Sequence, residues 1–324
     1  MAVNERTRGG LLKMRPAGPG SRVGLFAPAS PFDPTEFDDG IAELRRLGFD
    51  PVYDERVFER RGFVAGDAES RVAQLVELWQ RPGVDAVIAV RGGYGSLQML
   101  PALSRLGAPI LAKSLGSLVW YSDVTSLHTW MGCCAGTTSI HGPMLDRRLS
   151  RGPSAYDPVS FLASLTPEPV GELRPAGVEV LKAGEATGPL FGGTLTQLLS
   201  SLGTPWPFDP PQGYVLFGED VGERPYRLDR MLTQMRLAGL LARASAIVFG
   251  QMPRCDEADG TVTARAAVAD ALSDFPGPIL YGFPSGHTTT PFVTLPLGVD
   301  TRVLADAAVP GLVIEESAVA GGGA

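Results

Sequence analysis

Hydrophobic positions in the first half of the chain alternate between two spacings. Short apolar runs, typical of buried strands, are followed by stretches in which apolar residues recur every three or four positions, as on one face of a helix. The runs predict strands at Arg22–Phe26, Asp50–Tyr53, Asp85–Val90, Leu115–Tyr121 and Thr138–Ile140. The helical spacing predicts helices at Pro34–Leu47, Ala68–Trp79, Leu97–Leu106 and Val124–Met131.

This alternation, with short connections, indicates a parallel sheet that carries helices on both faces. In such sheets, ligands bind beyond the carboxyl ends of the strands. We therefore expect the loops at Pro28–Pro31, Arg91–Ser96 and Tyr121–Asp123 to lie along one edge of the sheet.

The pattern changes in the second half of the chain. A short helix at Val159–Leu165 precedes a stretch rich in proline and glycine, after which short strands mix with helices. The predicted strands are Val178–Lys182, Tyr214–Phe217, Ser245–Phe249, Ile279–Tyr281 and Val293–Pro296. The predicted helices are Leu195–Leu202, Tyr226–Ala238 and Thr261–Leu272.

A chain of 324 residues favours about two domains, which agrees with this change of pattern. We predict a flexible arm over 1–20, an N-terminal α/β domain over 21–150 and a linker region over 151–177. A smaller, β-rich mixed domain follows over 178–316, and 317–324 form a flexible tail.

Composition narrows the class of protein. With 44% hydrophobic and 19% charged residues, the chain has enough apolar material for a core, which excludes a fully disordered protein. A net charge of −7 without a basic block argues against binding nucleic acid or anionic membranes. No run of 18 apolar residues and no apolar segment of a secretory signal is present.

The three cysteines also bear on location and on metals. Two of them, Cys133 and Cys134, are adjacent, and the odd count cannot form a disulfide framework. Reduced thiols fit a cytoplasmic protein. Because no paired C-x-x-C spacing occurs, we expect no structural zinc site.

The sharpest candidate for chemistry is Ser122, in Tyr121-Ser122-Asp123, between an apolar strand and a predicted helix. A strand–turn–helix junction of this kind exposes a serine hydroxyl at the sheet edge, as in a nucleophile elbow, and directs the helix N-terminus toward developing negative charge. The alternative is that Ser122 and Asp123 merely cap the helix.

Three further segments carry candidate residues. The turn Arg91–Ser96, with three glycines in RGGYGS, allows close backbone approach to a ligand, or is simply a tight turn. The acids Glu219 and Asp220 end a strand and could orient a histidine, or belong to an acidic helix entry. His287 lies in a loop, where a histidine is also common as an ordinary surface residue.

The other two histidines look structural. His128 lies six residues after Ser122 on a predicted helix, so its side chain faces away from the serine, and we expect it to be packed. His141 ends a strand at the same sheet edge and is expected to be structural, with support of the site as the alternative.

Together these segments resemble the LD-carboxypeptidase family of serine peptidases, over nearly all of residues 21–300. The segments that carry the resemblance keep the family's order and relative spacing. They are VGLFAPAS (23–30), GDAESRVAQL (66–75), DAVIAVRGGYGSLQMLPAL (85–103), YSDVTSLHTW (121–130), HGPML (141–145), FGGTLTQLLSSLGTPWPFD (191–209), FGEDVGERPYRLDRMLTQM (217–235) and FPSGHTTTPFVTLPLG (283–298).

The resemblance implies a role for each matching residue. Ser122 would be the nucleophile, His287 the general base and Glu219 the carboxylate that orients it. Backbone N–H groups of Gly93 and Asp123 would form the oxyanion hole. Such a serine needs an adjacent base, and that base needs an orienting group, so the residue types suit the chemistry.

The resemblance also implies the fold, the substrate and the assembly. The fold would be a flavodoxin-like three-layer α/β/α N-terminal domain with a smaller β-rich C-terminal domain, and the site would lie between them. Members remove a terminal D-amino acid from an L-centre in murein tetrapeptides, without a metal or organic cofactor, and a homodimer is expected. Arg91, from its place at the sheet edge, is a candidate cation for the terminal carboxylate of the substrate.

One position departs from the family pattern, which usually has glycine two residues before the nucleophile. This chain has Trp120 there, in a reworked run AKSLGSLVW, so the local shape of the turn and the specificity could differ. Two alternatives therefore stay open. One is a self-immunity peptidase acting on a peptidyl-nucleotide antibiotic, since a relative in the family cleaves microcin C; the other is a catalytically silent binding module.

Overall fold

The first of two β-sheets is built from the N-terminal half of the chain. The computed structural model describes residues 10–106 and 116–321. Five parallel strands lie in the order β2-β1-β3-β4-β5, which is the doubly wound order of flavodoxin-like folds and confirms the expected fold class. They are β1 (Arg22–Phe26), β2 (Asp50–Tyr53), β3 (Val84–Ala89), β4 (Ser117–Trp120) and β5 (Ser139–His141).

The helices of this half follow the predicted spacing closely. They are α1 (Pro34–Arg46), α2 (Ala68–Gln80), α3 (Leu100–Leu106) and α4 (Thr125–Thr129). The carboxylates of Asp33 and Asp67 cap the first two by accepting hydrogen bonds from backbone N–H groups. Leu115, where the fourth strand was predicted to begin, lies outside the described residues.

The helix predicted at Val124–Met131 differs in form. It begins as a 3₁₀ turn over Ser122–Val124, continues as the short α4 and ends as a π-helix over Trp130–Ala135. Gly136 stops it with φ of 73°, a left-handed conformation that glycine adopts without strain. Single π-helical turns within α-helices are frequent at functional sites, and this one continues the helix that follows Ser122.

The second sheet has eight strands in the order β6-β14-β13-β8-β9-β10-β11-β7. Its strands are β6 (Gly171–Leu173), β7 (Glu179–Lys182), β8 (Gly184–Thr194), β9 (Tyr214–Glu219), β10 (Ala244–Gly250), β11 (Ile279–Phe283), β13 (Asp300–Ala305) and β14 (Gly311–Ile314). The pairs from β8 to β11 are parallel, and the outer pairs are antiparallel. The α-helices in the second half of the chain are α5 (Pro158–Ala163), α6 (Leu195–Ser200), α7 (Pro225–Leu237), α8 (Leu240–Arg243) and α9 (Ala264–Ala271).

Four of these strands, β6, β8, β13 and β14, are absent from the sequence prediction. The longest, β8, has the sequence GEATGPLFGGT, whose glycines and proline are depleted in ordinary strands. It forms because it has a partner on each side: β13 pairs with its first half and β9 with its second half. Tertiary pairing therefore overrides the weak local preference.

One strand from the C-terminal half joins the first sheet. The strand predicted at Val293–Pro296 for the second domain is β12 (Leu295–Leu297), and it pairs antiparallel with β5. This corrects its assignment to the second domain. The physical reason is that β5 would otherwise be an edge strand with unpaired backbone groups.

The ends of the described chain pack against this body. Met14 and Ala318 are buried and joined by a backbone hydrogen bond of 3.1 Å, and Ala320 N–H donates to Met14 O at 2.7 Å. Leu12 N–H donates to Gly136 O at 2.8 Å. These parts of the expected arm and tail are thus packed, because their backbone groups find partners in the fold. None of the helices among the described residues is long and apolar enough to cross a membrane.

Candidate active site

Ser122 lies at a strained turn at the carboxyl end of β4. All four residues of that strand are buried, and the chain reverses into the 3₁₀ turn directly after Tyr121. Ser122 has φ of 64°, one of four non-glycine residues with positive φ among those described. A left-handed backbone costs a non-glycine residue about 1–3 kcal/mol and persists only where the surroundings enforce it. This is the conformation that a nucleophile elbow requires.

A chain of two hydrogen bonds links Ser122 to residues of the second half. Ser122 Oγ lies 3.1 Å from Nε2 of His287. Nδ1 of His287 lies 2.7 Å from Oε2 of Glu219, which also accepts a bond of 2.8 Å from the His287 backbone N–H. Because a carboxylate can only accept, Nδ1 carries the proton and Nε2 is left as the acceptor for the serine hydroxyl.

The surroundings of this pair favour an ionised Glu219. The carboxyl group is fully buried, which alone would raise its pKa. The charge and hydrogen bond of His287, with a further bond donated by the Thr194 hydroxyl, outweigh burial and hold the pKa of Glu219 below its usual range. For His287, burial alone would lower the pKa, but the charge and hydrogen bond of Glu219 raise it above 6.5.

Two glycines adapt the backbone to this arrangement. Gly286, next to His287, has φ of 83°, and a Cβ there would lie 2.5 Å from the Glu219 carboxyl carbon. Gly250 is equally confined, because a Cβ there would lie 2.7 Å from Glu219 Cβ. Larger residues at these positions would displace the buried carboxylate that contacts His287.

The glycine-rich turn after β3 lies against the serine. A Cβ on Gly92 would lie 3.0 Å from Ser122 Cβ, and Gly93 has φ of 101°. Ser30 fixes this turn, since its Oγ accepts from Tyr94 N–H at 3.1 Å and its own N–H donates to Gly92 O at 3.0 Å. Ser30, which follows β1, therefore holds the glycine-rich turn close to Ser122.

Asp123 joins the two turns with its side chain rather than capping the helix. Its Oδ2 accepts from Ser96 N–H at 2.8 Å, and Ser96 Oγ donates to Asp123 O at 2.6 Å. Gln197, from the second half, donates to Asp123 Oδ1 at 3.1 Å. Among the described residues, Gly93 N–H makes no turn or loop hydrogen bond with the backbone, and Asp123 lies in the first turn of the 3₁₀ segment, where N–H groups have no acceptor within the helix, so both groups suit donation to a ligand. Their role in an oxyanion hole remains a prediction.

Arg91 lies in the glycine-rich turn, but its charge has a partner. Its Nη1 forms an ion pair of 3.0 Å with the buried Asp146. Burial and the nearby Glu36 raise the pKa of Asp146 to about 7. Arg91 is partly exposed, and its contact with a substrate carboxylate remains a prediction.

The histidines expected to be structural are both buried. His128 bonds Ser139 Oγ at 2.7 Å through Nδ1 and Trp120 O at 3.0 Å through Nε2. His141 stacks on Phe292, and burial lowers its pKa to about 4, so its ring is neutral near pH 7. Neither side chain contacts the Ser122 hydroxyl.

Trp120, the departure from the family pattern, is fully buried. Its ring packs edge-on against Phe26, with 6.1 Å between the ring centroids. The indole is therefore packed in the hydrophobic core beneath the Ser122 turn. It has no exposed ring face on which a nucleobase could stack. The Ser122 turn keeps its strained conformation with tryptophan at this position.

Sequence reasoning missed Thr194, whose hydroxyl donates to Glu219 Oε1. Thr194 ends β8 and lies opposite Glu219 in the parallel register with β9. Its N–H also bonds Thr125 Oγ1 at 3.1 Å, which connects Glu219 to the helix after the serine. Only the prediction of β8 as a strand could have revealed it.

Among residues 10–106 and 116–321, no group of three His, Cys, Asp or Glu side chains could hold a metal ion. The arrangement of Ser122, His287 and Glu219 instead suits nucleophilic attack by a serine that a neutral imidazole deprotonates.

Comparison with known proteins gives two matching family models. Residues 23–142 match the LD-carboxypeptidase N-terminal domain, and residues 187–303 match the LD-carboxypeptidase C-terminal domain. A probable murein peptide carboxypeptidase of Bacillus subtilis is 31% identical over 295 residues, which cover 86% of this chain and 87% of the relative.

Two solved structures extend the comparison. Muramoyltetrapeptide carboxypeptidase from Oxalobacter formigenes superposes with a TM-score of 0.79 at 30% identity, over 92% of this chain and 99% of that one. The microcin C7 self-immunity protein MccF superposes with a TM-score of 0.85 over 95% of this chain and 100% of that one. At 23% identity, this second likeness concerns the fold alone.

Proposed function

Because the chain belongs to the LD-carboxypeptidase family, we propose that it is a serine carboxypeptidase that releases a terminal D-amino acid from murein tetrapeptides. The observation that carries the proposal is the continuous hydrogen-bonded path from Ser122 through His287 to Glu219 at a strained turn. The substrate class is supported by two relatives, a probable murein peptide carboxypeptidase and a muramoyltetrapeptide carboxypeptidase.

Acylation begins when Ser122 Oγ attacks the carbonyl carbon of the scissile amide and its proton moves to Nε2 of His287. Glu219 holds the resulting imidazolium in place. The oxyanion of the tetrahedral intermediate accepts hydrogen bonds from the N–H groups of Gly93 and Asp123, each of which contributes about 2.7–4 kcal/mol to lowering the barrier.

The intermediate collapses when the C–N bond breaks and His287 gives its proton to the leaving amine. The D-amino acid departs, and the rest of the peptide remains as an ester on Ser122. A water molecule then attacks the ester carbonyl while His287 takes its proton. Collapse of this second intermediate releases the peptide carboxylate and returns a proton to the serine.

We also propose that the enzyme works as a cytoplasmic homodimer. The family resemblance supports the dimer, and cysteine usage supports the location. The partner at the site is a small peptide, and the net charge of −7 is unsuited to nucleic acid or an anionic membrane. An acidic enzyme also needs a local cation for the terminal carboxylate, for which Arg91 stays the candidate.

The substrate assignment is tested with three compounds in separate incubations, followed by mass spectrometry. They are a murein tetrapeptide that ends in an L-centre–D-Ala bond, its all-L diastereomer and a peptidyl-adenylate mimic. We expect D-alanine release from the first alone. Cleavage of the mimic alone would move the assignment to antibiotic self-immunity, and no cleavage of any compound would favour a binding module.

We expect the pH profile of kcat/KM to fall on the acid side, with a midpoint above pH 6.5. Only neutral His287 can accept the Ser122 proton, and the neighbouring Glu219 raises the pKa of His287 above 6.5. Lowering the pH through this pKa therefore removes the base. The measurement is kcat/KM from about pH 4.5 to pH 9, at constant ionic strength. A rate that stays flat down to about pH 4.5, well below the histidine range, would contradict a histidine base.

A further inference from the structure

Arg148 makes a dense set of contacts around the loop that carries His287. The residue is half-buried, just before the 3₁₀ segment Leu149–Ser154. Its Nη2 donates to Gly286 O at 3.0 Å and to Thr288 O at 3.3 Å, the carbonyls on either side of His287. Its Nη1 donates to Ala155 O at 3.1 Å.

The same guanidinium reaches the residue before the serine. Its Nε lies 3.4 Å from the Tyr121 hydroxyl, and its carbon lies 5.8 Å from the centre of the Tyr121 ring and 5.6 Å from that of Phe292. The Tyr121 ring in turn packs edge-on against His287, with 5.3 Å between centroids. One side chain thus contacts the neighbours of both reacting groups.

We infer that Arg148 is a positioning residue that holds the His287 loop at hydrogen-bonding distance from the Ser122 turn. The two turns belong to different halves of the chain, and Arg148 bonds the backbone on both sides of His287. A guanidinium presents several donors in a fixed plane, so it can satisfy these carbonyls and lie on the aromatic rings together. Four of its five N–H groups donate to protein acceptors, which argues against a role in binding substrate.

The inference rests on the proposed function only for its kinetic test. Arg148→Met keeps the apolar stem and removes the donors. We expect kcat for the murein tetrapeptide to fall about 10²-fold with KM unchanged, because a misplaced base slows proton transfer without weakening binding. Arg148→Lys should show a similar loss, because a flexible ammonium cannot reproduce the planar set of donors.

Arg151→Met is the matched control. Arg151 lies three residues further on, inside the 3₁₀ segment; its side chain is 57% exposed and pairs with Glu36 at 3.2 Å. We expect wild-type kcat from this variant. Full activity in Arg148→Lys would show that the charge alone matters, and unchanged kcat in Arg148→Met would show that the contacts are dispensable; either result overturns the inference.

A second measurement needs no substrate. The chain has only three histidines, so the Nδ1 proton of His287 can be assigned by NMR. We expect one sharp downfield resonance in the wild type and in Arg151→Met, and a broadened or split one in Arg148→Met and Arg148→Lys. An unchanged resonance in both Arg148 variants would overturn the inference. Failure of the wild type to cleave any murein peptide would instead refute the proposed function and leave this test standing.

Discussion

Replacement of Ser122 by alanine is expected to lower kcat by about 10⁶-fold, the loss seen when the nucleophile of a serine triad is removed. The hydroxyl is the group that His287 Nε2 approaches at 3.1 Å, and no other hydroxyl bonds that nitrogen within the described residues. The measurement is D-alanine release by the purified variant, with circular dichroism to verify folding. Activity above a few per cent of wild type would exclude Ser122 as the nucleophile.

Ser122→Gly supplies a control that separates function from folding. Glycine adopts positive φ without steric cost, so relief of the strain at φ of 64° is expected to raise the free energy of unfolding by about 1 kcal/mol. The variant should be as inactive as Ser122→Ala while melting at a higher temperature. A lower melting temperature would show that the turn does not store the strain that its backbone angle indicates.

Glu219→Gln is expected to lower kcat by about 10⁴-fold while the protein stays folded, by analogy with an aspartate-to-asparagine change in a known serine triad. Oε2 of Glu219 accepts from both the N–H and Nδ1 of His287, and an amide of the same shape cannot stabilise the imidazolium. An amide NH₂ in the position of Oε2 would also donate to Nδ1 and so favour the tautomer that carries the proton on Nε2, where the imidazole can no longer accept from Ser122.

The neighbouring Asp220 gives the matched control for this change. It is also buried, but its carboxylate accepts from the N–H and hydroxyl of Thr196 at the start of α6, not from His287. Asp220→Asn should therefore keep most of the activity, and its main effect should be on stability. Equal losses of kcat in Glu219→Gln and Asp220→Asn would contradict a specific role for Glu219.

Strong periodicity made the first half of the fold predictable from sequence. The five strands and the helices of the parallel sheet lie within a few residues of their expected positions, because buried runs and amphipathic spacing repeat there without conflict. The strand β8 was not predictable, since its glycines and proline indicate turns and only its two neighbours make it extended. The local sequence pattern therefore predicts helices and strands correctly where they form on their own preference, and it fails for β8, which forms through pairing with its neighbours.

The candidate site likewise contains one feature that the local sequence predicts and others that only the folded chain brings together. The Ser122 turn has a local signature, a buried strand that leads into a helix, and the strained backbone agrees with it. The association of Glu219 and His287 with this serine came from family resemblance, because no spacing along the chain relates residues so far apart. Arg148 had no signal at all: it bonds backbone carbonyls 138 and 140 positions away, which any residue type could provide.

The strand β12 has a consequence for the order in which the protein is made. His287 lies between β11 of the second sheet and β12, which completes the first sheet beside β5. A ribosome must therefore synthesise the chain through Leu297 before β5 gains its outer neighbour, and until then the edge of β5 is open to other chains. His287 is made shortly before β12, so a polypeptide that ends before residue 287 would hold Ser122 without the histidine that we propose as its base. On the proposed mechanism, hydrolysis can therefore begin only after residue 287 has been made and its loop has folded against the Ser122 turn.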